Sequence, residues 1–138
     1  KIFLGDGGAY FLGSLTALNV INTSVNNSEI SPVYFGILLF YLFFEVFFSF
    51  IRKIRLNKSP LKPDREHLHM LVYKFLMSKK FKSPNPVTSI VINLLFLFLI
   101  LPATFFNENN FLCKVWFVIL TLIYLFFYFL LNNLTKNK

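Results

Sequence analysis

The chain has 138 residues and a formal charge of +8; 56% of its residues are hydrophobic, 20% aromatic and only 14% charged. A soluble domain carries about 25% charged residues, so the composition excludes a water-soluble globule and points to the membrane. The Lys and Arg surplus is concentrated in one segment and not spread over a surface, which argues against a nucleic-acid partner.

Apolar residues come in four blocks, at 9–25, 33–51, 87–106 and 115–131. Each approaches the ~20 residues needed to cross a bilayer core about 30 Å thick. The expected fold is an all-α integral membrane bundle of four spans, with a central loop over 52–86. Ten of the fourteen Lys and Arg lie in that loop, Lys1 precedes the first block, and Lys136 and Lys138 follow the last. The connections at 26–31 and 107–112 carry only Glu29 and Glu108. The positive-inside rule then makes both termini and the central loop cytoplasmic, with Lys114 snorkelling to the far interface. Cys113 is the single cysteine, so no intramolecular disulfide or cysteine metal cluster is expected.

The chain opens on Lys1 and reaches the polar run Gly5-Asp6-Gly7-Gly8 within a few residues. That is not the pattern of a signal peptide, and the chain is expected to be the C-terminal piece of something longer. Asp6 offers a hard oxygen ligand of the kind Mg²⁺ prefers, between glycines that permit close approach of a phosphate. The alternative is a helix cap. In the first block, Ser14, Thr16, Asn19, Asn22 and Thr23 are costly against lipid, while Ala9, Gly13 and Ala17 form a small-residue stripe that lets helices approach. An interior helix is expected there. The second block holds one acid, Glu45, which must face the interior or be protonated; a structural partner and a site role are both open for it.

The central loop contains Ser59-Pro60-Leu61-Lys62-Pro63-Asp64-Arg65-Glu66-His67-Leu68-His69-Met70. The prolines keep its first part extended, and Asp64 is a plausible helix N-cap. Leu68, Leu71, Val72, Phe75 and Leu76 then follow the pattern of a short amphipathic helix, expected to lie on the inner leaflet. Arg65, His67 and His69 would sit at its first turn, an anion-binding end. The histidines could ligate a metal, donate protons to a phosphate, or stand exposed at the interface. Arg65 could pair with a phosphate or serve only as a topology determinant. Asn93 and Pro102 interrupt the third block, and Trp116 and Tyr128 in the fourth suit the interface.

The segment Phe3-Leu4-Gly5-Asp6-Gly7-Gly8-Ala9-Tyr10-Phe11-Leu12-Gly13 resembles the Gly-Asp-x-Gly-Ser segment of the polyprenyl-phosphate N-acetylhexosamine-1-phosphate transferases. The segment from Ser59 to His69 resembles their Pro-Asp-Arg-x-His-Ile-His-His loop, and Glu45 matches an acid often found in the preceding helix. The resemblance implies transfer of a sugar-1-phosphate from a UDP-amino sugar to membrane polyprenyl phosphate, with release of UMP, as an initiating step of cell-envelope glycan synthesis. It implies Mg²⁺ or Mn²⁺ held by Asp6, catalytic roles for Asp6, His67 and His69, and substrate binding by Gly5, Gly7, Gly8, Asp64 and Arg65. The partners expected are the UDP-amino sugar, the polyprenyl phosphate lipid and the membrane, with a homodimer left open.

Two positions depart from the family pattern: Met70 stands where the loop has its last histidine, and Ala9 where the first motif has serine. The family's Asp-Asp pair has no counterpart here, so the piece is expected to be inactive by itself. The rival readings are a non-catalytic relative and a membrane scaffold or transporter subunit whose basic loop binds anionic lipid.

Overall fold

The computed structural model describes residues 5–60, 62–63 and 66–136. Every regular element among them is helical: α1 (Gly5–Asn26), α2 (Pro32–Leu38), α3 (Phe40–Arg55), α4 (Leu68–Ser78), α5 (Pro84–Ile100) with a 3-10 extension (Leu101–Phe105), and α6 (Asn110–Lys136). The all-α expectation holds, and two or three of the four expected spans are recovered among the described residues. By length and composition, two helices can cross a membrane: α5 with its extension, and α6. A third span exists if α2 and α3, bent by 79° at Leu39, are taken as one. The protein is thus membrane-embedded through its apolar helices.

The block at 33–51 breaks although neither proline nor glycine stands at Leu39, the usual causes of a sharp kink. What the bend gains is burial of Phe40, only 1% exposed, among the rings of Phe44, Phe96, Phe117 and Tyr124. Ring pairs of this kind add about 0.5–1.5 kcal/mol each beyond their buried area.

The polar face expected to make the first helix an interior one is not covered by the described residues. No residue of α1 is buried, and its polar side chains satisfy themselves locally. Thr16 donates to the Leu12 carbonyl at 2.8 Å, and Asn26 donates to the Asn22 side chain at 2.9 Å. The small-residue stripe does line a shallow groove with Leu39, Leu42 and Phe43. Nothing lies within 4 Å of where a Gly13 Cβ would stand, so the helices do not interlock. Those same polar residues keep α1 from being apolar enough to qualify as a span.

Helix α4 exists, but it begins at Leu68 with His67 as its N-cap. Asp64, the expected cap, lies outside the described residues. Leu68, Leu71 and Leu76 are buried, and the helix packs on α5 and α6. The apolar stripe thus meets protein, where contact with the leaflet was expected. Asn57 and Lys80 end α3 and α4 at φ of 53° and 58°. The Lys58 N–H donates to the Lys53 carbonyl at 2.9 Å, and the Phe81 N–H to the Leu76 carbonyl at 3.2 Å. These are Schellman closures that satisfy carbonyls the helix leaves over.

At one end of the bundle, Ser31 joins α2 to the turn before α6. Its Oγ accepts from the Val33 N–H at 3.2 Å and donates to Asn110 Oδ1 at 2.9 Å, while its N–H donates to the Asn107 carbonyl at 2.8 Å. Nearby, Trp116 Nε1 donates to the Leu99 carbonyl at 3.0 Å and Cys113 is fully buried. The other end is basic, since Arg52, Arg55 and Lys136 line one pocket. The ends of α3 and α6 therefore lie together, and the histidine segment starts beside them.

Candidate functional site

On α3, Tyr41, Glu45, Ser49 and Arg52 recur at intervals of four, four and three residues. That spacing puts them on one face of a helix. The Glu45 carboxylate is buried, 7% exposed, a position that demands partners for both oxygens. It has them. Oε1 accepts the Leu68 N–H at 3.0 Å and lies 2.9 Å from His67 Nδ1; Oε2 accepts the Tyr124 hydroxyl at 2.8 Å. Of the two openings left by the sequence, the structure gives Glu45 a structural partner, and that partner is the histidine loop.

The Leu68 N–H belongs to the first turn of α4, where amides lack intrahelical acceptors and the dipole is positive. This is the anion-binding end expected from the sequence, and the anion seated there is Glu45 itself. A carboxylate facing Nδ1 favours the tautomer with its proton on that nitrogen, which leaves Nε2 of His67 as the nitrogen available to a ligand.

His67 and His69 stand two apart, a spacing that in a regular helix would send them to different sides. Here their rings stack 5.5 Å apart at 7°. The reason is local: His67 is still extended, at φ −70° and ψ 151°, while His69 is already helical. The cap geometry thus gathers the pair. His69 is exposed, and its Nδ1 lies 3.4 Å from the Tyr41 hydroxyl. Beyond it opens a groove of about 280 Å³ that Asn85, Ser89 and Asn93 of α5 help to line.

Two basic residues hold the loop. Arg52 pairs with Glu66, one residue before the cap, and lies 5.9 Å from the centroid of the Tyr128 ring. Lys53 is buried and donates through Nζ to the Pro60 carbonyl at 3.0 Å and the Lys62 carbonyl at 2.6 Å. Charge clustering marked both only as topology determinants; the fold uses them as braces.

Among the described residues, Asp6 and its flanking glycines are not drawn into this cluster. Asp6 lies in the first turn of α1, exposed, after Gly5 at φ +65°, with Gly7 and Gly8 following it. It is not an N-cap, since the helix has already started at Gly5. Among the described residues no hydrogen bond, ion pair or ring contact links it to His67 or His69. Asp64 and Arg65 lie outside the described residues. No group of three His, Cys, Asp or Glu among the described residues could hold a metal ion. A lone exposed Asp6 is compatible with Mg²⁺ only in the mode where one or two carboxylates share the ion with water and substrate phosphates.

Sequence reasoning missed Tyr41, Tyr124 and Lys53. Tyr41 had a signal, its position one helical turn before Glu45. Tyr124 had none, being 79 residues away.

An apolar helical bundle with a histidine pair buttressed by a buried acid at its basic end is the framework of a membrane protein with a polar site at the boundary. Comparison with known proteins finds curated sequences to which part of the chain is similar. Over 69 residues, half of the chain, it is 35% identical to an undecaprenyl-phosphate alpha-N-acetylglucosaminyl 1-phosphate transferase of Thermotoga maritima, of which the match covers 22%. Over 82 residues, 58% of the chain, it is 37% identical to a probable undecaprenyl-phosphate N-acetylglucosaminyl 1-phosphate transferase of Bacillus subtilis, of which the match covers 23%. The chain is therefore similar, over about half of its length, to undecaprenyl-phosphate N-acetylglucosaminyl 1-phosphate transferases, and aligns with less than a quarter of the length of either protein. No protein-family model and no solved structure matches it.

Proposed function

We propose that this chain forms part of a phosphoglycosyl transferase that moves N-acetylhexosamine-1-phosphate from a UDP-sugar to membrane polyprenyl phosphate. An oxygen of the lipid phosphate bonds to the sugar-bearing phosphorus, the bond from that phosphorus to the bridging oxygen breaks, and UMP leaves with that oxygen. Both substrates are anionic, so the reaction needs positioning and charge stabilisation above all. The observation that carries the reading is the hold of Glu45 on His67 and on the start of α4, in a chain whose relatives bear this activity in their names.

In this reading His67, clamped through Nδ1, presents Nε2 to a phosphate oxygen, and the stacked His69 adds a second donor. Arg65 and Asp64 bind the nucleotide sugar, and Gly5, Gly7 and Gly8 allow its phosphates close to the backbone. Asp6 holds Mg²⁺ or Mn²⁺, which when bound offsets the charge of the pyrophosphate. The positive-inside rule puts the basic end, with both motifs, on the cytoplasmic face of the plasma membrane, where nucleotide sugars are found. The chain works there only together with the rest of its enzyme.

The test is transfer of labelled N-acetylglucosamine-1-phosphate from its UDP donor to undecaprenyl phosphate in membranes holding the complete protein. Asp6→Asn should abolish turnover while membrane insertion is unchanged. Turnover that survives this change would refute the metal role. Survival in His67→Ala as well would sink the enzyme reading of this site.

A further inference from the structure

A second pocket, lined in part by the Arg52–Glu66 pair, lies between α3 and α6, with a volume of about 290 Å³. Its walls are mainly apolar, formed by Phe48, Ile51, Leu56 and Phe129, with Tyr128 and Asn132 beside them. Its rim is basic. Arg55 and Lys136 both line it, both are exposed, and neither has a hydrogen bond or ion pair among the described residues. Each stands in the last turn of its helix, where a cation complements the dipole. The dipole does not explain why two helices 81 residues apart in sequence bring their terminal cations to one greasy cleft. Arg52 adds a third positive charge at the pocket, and Glu66, paired with it, is the single acid lining it among the described residues.

An apolar cleft opening at a cationic rim matches one kind of molecule at this depth: an amphiphile with a negative head. The volume lies just below the ~300–1,000 Å³ of small-molecule sites, so it admits a headgroup and its first carbons, not a nucleotide sugar. Basic pockets between membrane helices are where lipid headgroups are bound, at about 1 kcal/mol per Lys or Arg. We propose that this pocket is a binding site for the phosphate headgroup of an anionic membrane phospholipid, held by Arg55 and Lys136. The proposal is independent of the transferase reading, since it uses neither the histidines nor Asp6. A lipid seated there would tie the last turn of α6 to the end of α3, beside the brace that positions the histidine loop.

The experiment counts bound lipid by native mass spectrometry on the full-length protein in neutral detergent. The probes are dioleoylphosphatidylglycerol, dioleoylphosphatidylcholine and inorganic phosphate. Phosphatidylglycerol should bind in preference to phosphatidylcholine, and millimolar phosphate should not displace it. The double change Arg55→Gln with Lys136→Gln should weaken it about thirtyfold, two basic contacts at about 1 kcal/mol each. Lys79→Gln with Lys80→Gln, the same charge loss at the end of α4, should leave it unchanged. Should the first double variant fail to fold, Lys136→Glu alone carries the test and must weaken phosphatidylglycerol selectively. Equal weakening by both double variants would overturn the site in favour of diffuse attraction. Equal binding of phosphatidylcholine would overturn the headgroup charge, and displacement by phosphate would make it a free-ion site.

Discussion

The Tyr124 hydroxyl donates to Glu45 Oε2 at 2.8 Å, closing a chain of contacts from α6 through α3 to the first amide of α4. Three helices therefore meet at one buried carboxylate, and the imidazole of His67 is held on its other oxygen. The histidine loop is oriented from inside the bundle.

Tyr124→Phe keeps the ring, which meets Phe44 and Phe48 edge-on and stacks on Tyr128, and deletes one donor to a buried anion. The expected cost is about 1–3 kcal/mol, read as a lower thermal unfolding midpoint in detergent. An unchanged midpoint would show that Glu45 does not need this partner.

Glu45→Gln keeps the volume and removes the charge that faces Nδ1 of His67. Loss of a residue that orients a functional imidazole typically costs 10–100-fold. In the complete enzyme the fall should appear in kcat for sugar-phosphate transfer, with insertion and expression as before. Full activity would mean that the orientation of His67 is irrelevant to turnover.

Lys53→Met deletes the two bonds to the Pro60 and Lys62 carbonyls while keeping the apolar stem. The stretch from Lys58 onward should open, and trypsin should cleave after Lys58 severalfold faster in membranes than it cleaves the parent protein. Equal cleavage rates would show that Lys53 does not hold the loop.

Cys113 has no exposed surface, and its thiol faces the Phe106 carbonyl at 3.4 Å. A maleimide reagent should label it only after denaturation. Rapid labelling of the folded protein would contradict the packing of α6 against the 3-10 segment.

Arg52→Gln and Glu66→Gln, singly and together, give a double-mutant cycle for the pair that fixes the residue before the α4 cap. With Arg52 mostly buried and Glu66 one-third exposed, the coupling should fall between about 0.5 and 3 kcal/mol, read from thermal unfolding. A coupling of zero would remove this pair from the account of the loop.

Much of this protein is written in local pattern. Blocks of Phe, Leu and Ile long enough for a bilayer give helices α5 and α6, because backbone groups in an apolar medium must be satisfied within the segment. The spacing of Leu68, Leu71 and Leu76 gives α4, and the run of charge from Arg52 to Lys82 marks one end of the bundle. The likeness of the Gly5–Gly13 and Ser59–His69 motifs to sugar-phosphate transferases was also legible, because those residues lie in short contiguous stretches.

Other features were decided only when the chain folded. The break at Leu39 comes with the burial of Phe40 among rings from α5 and α6, contacts that no local signal contains. The stacking of His67 on His69 depends on where α4 starts, and that start is set by the carboxylate of Glu45 waiting for the Leu68 amide. Tyr124 reaches the same carboxylate from the far end of the sequence. A buried charge must find its partners wherever the fold supplies them, so their identity is a property of three-dimensional packing. Periodicity can say that Glu45 needs such partners, and only the tertiary structure names them.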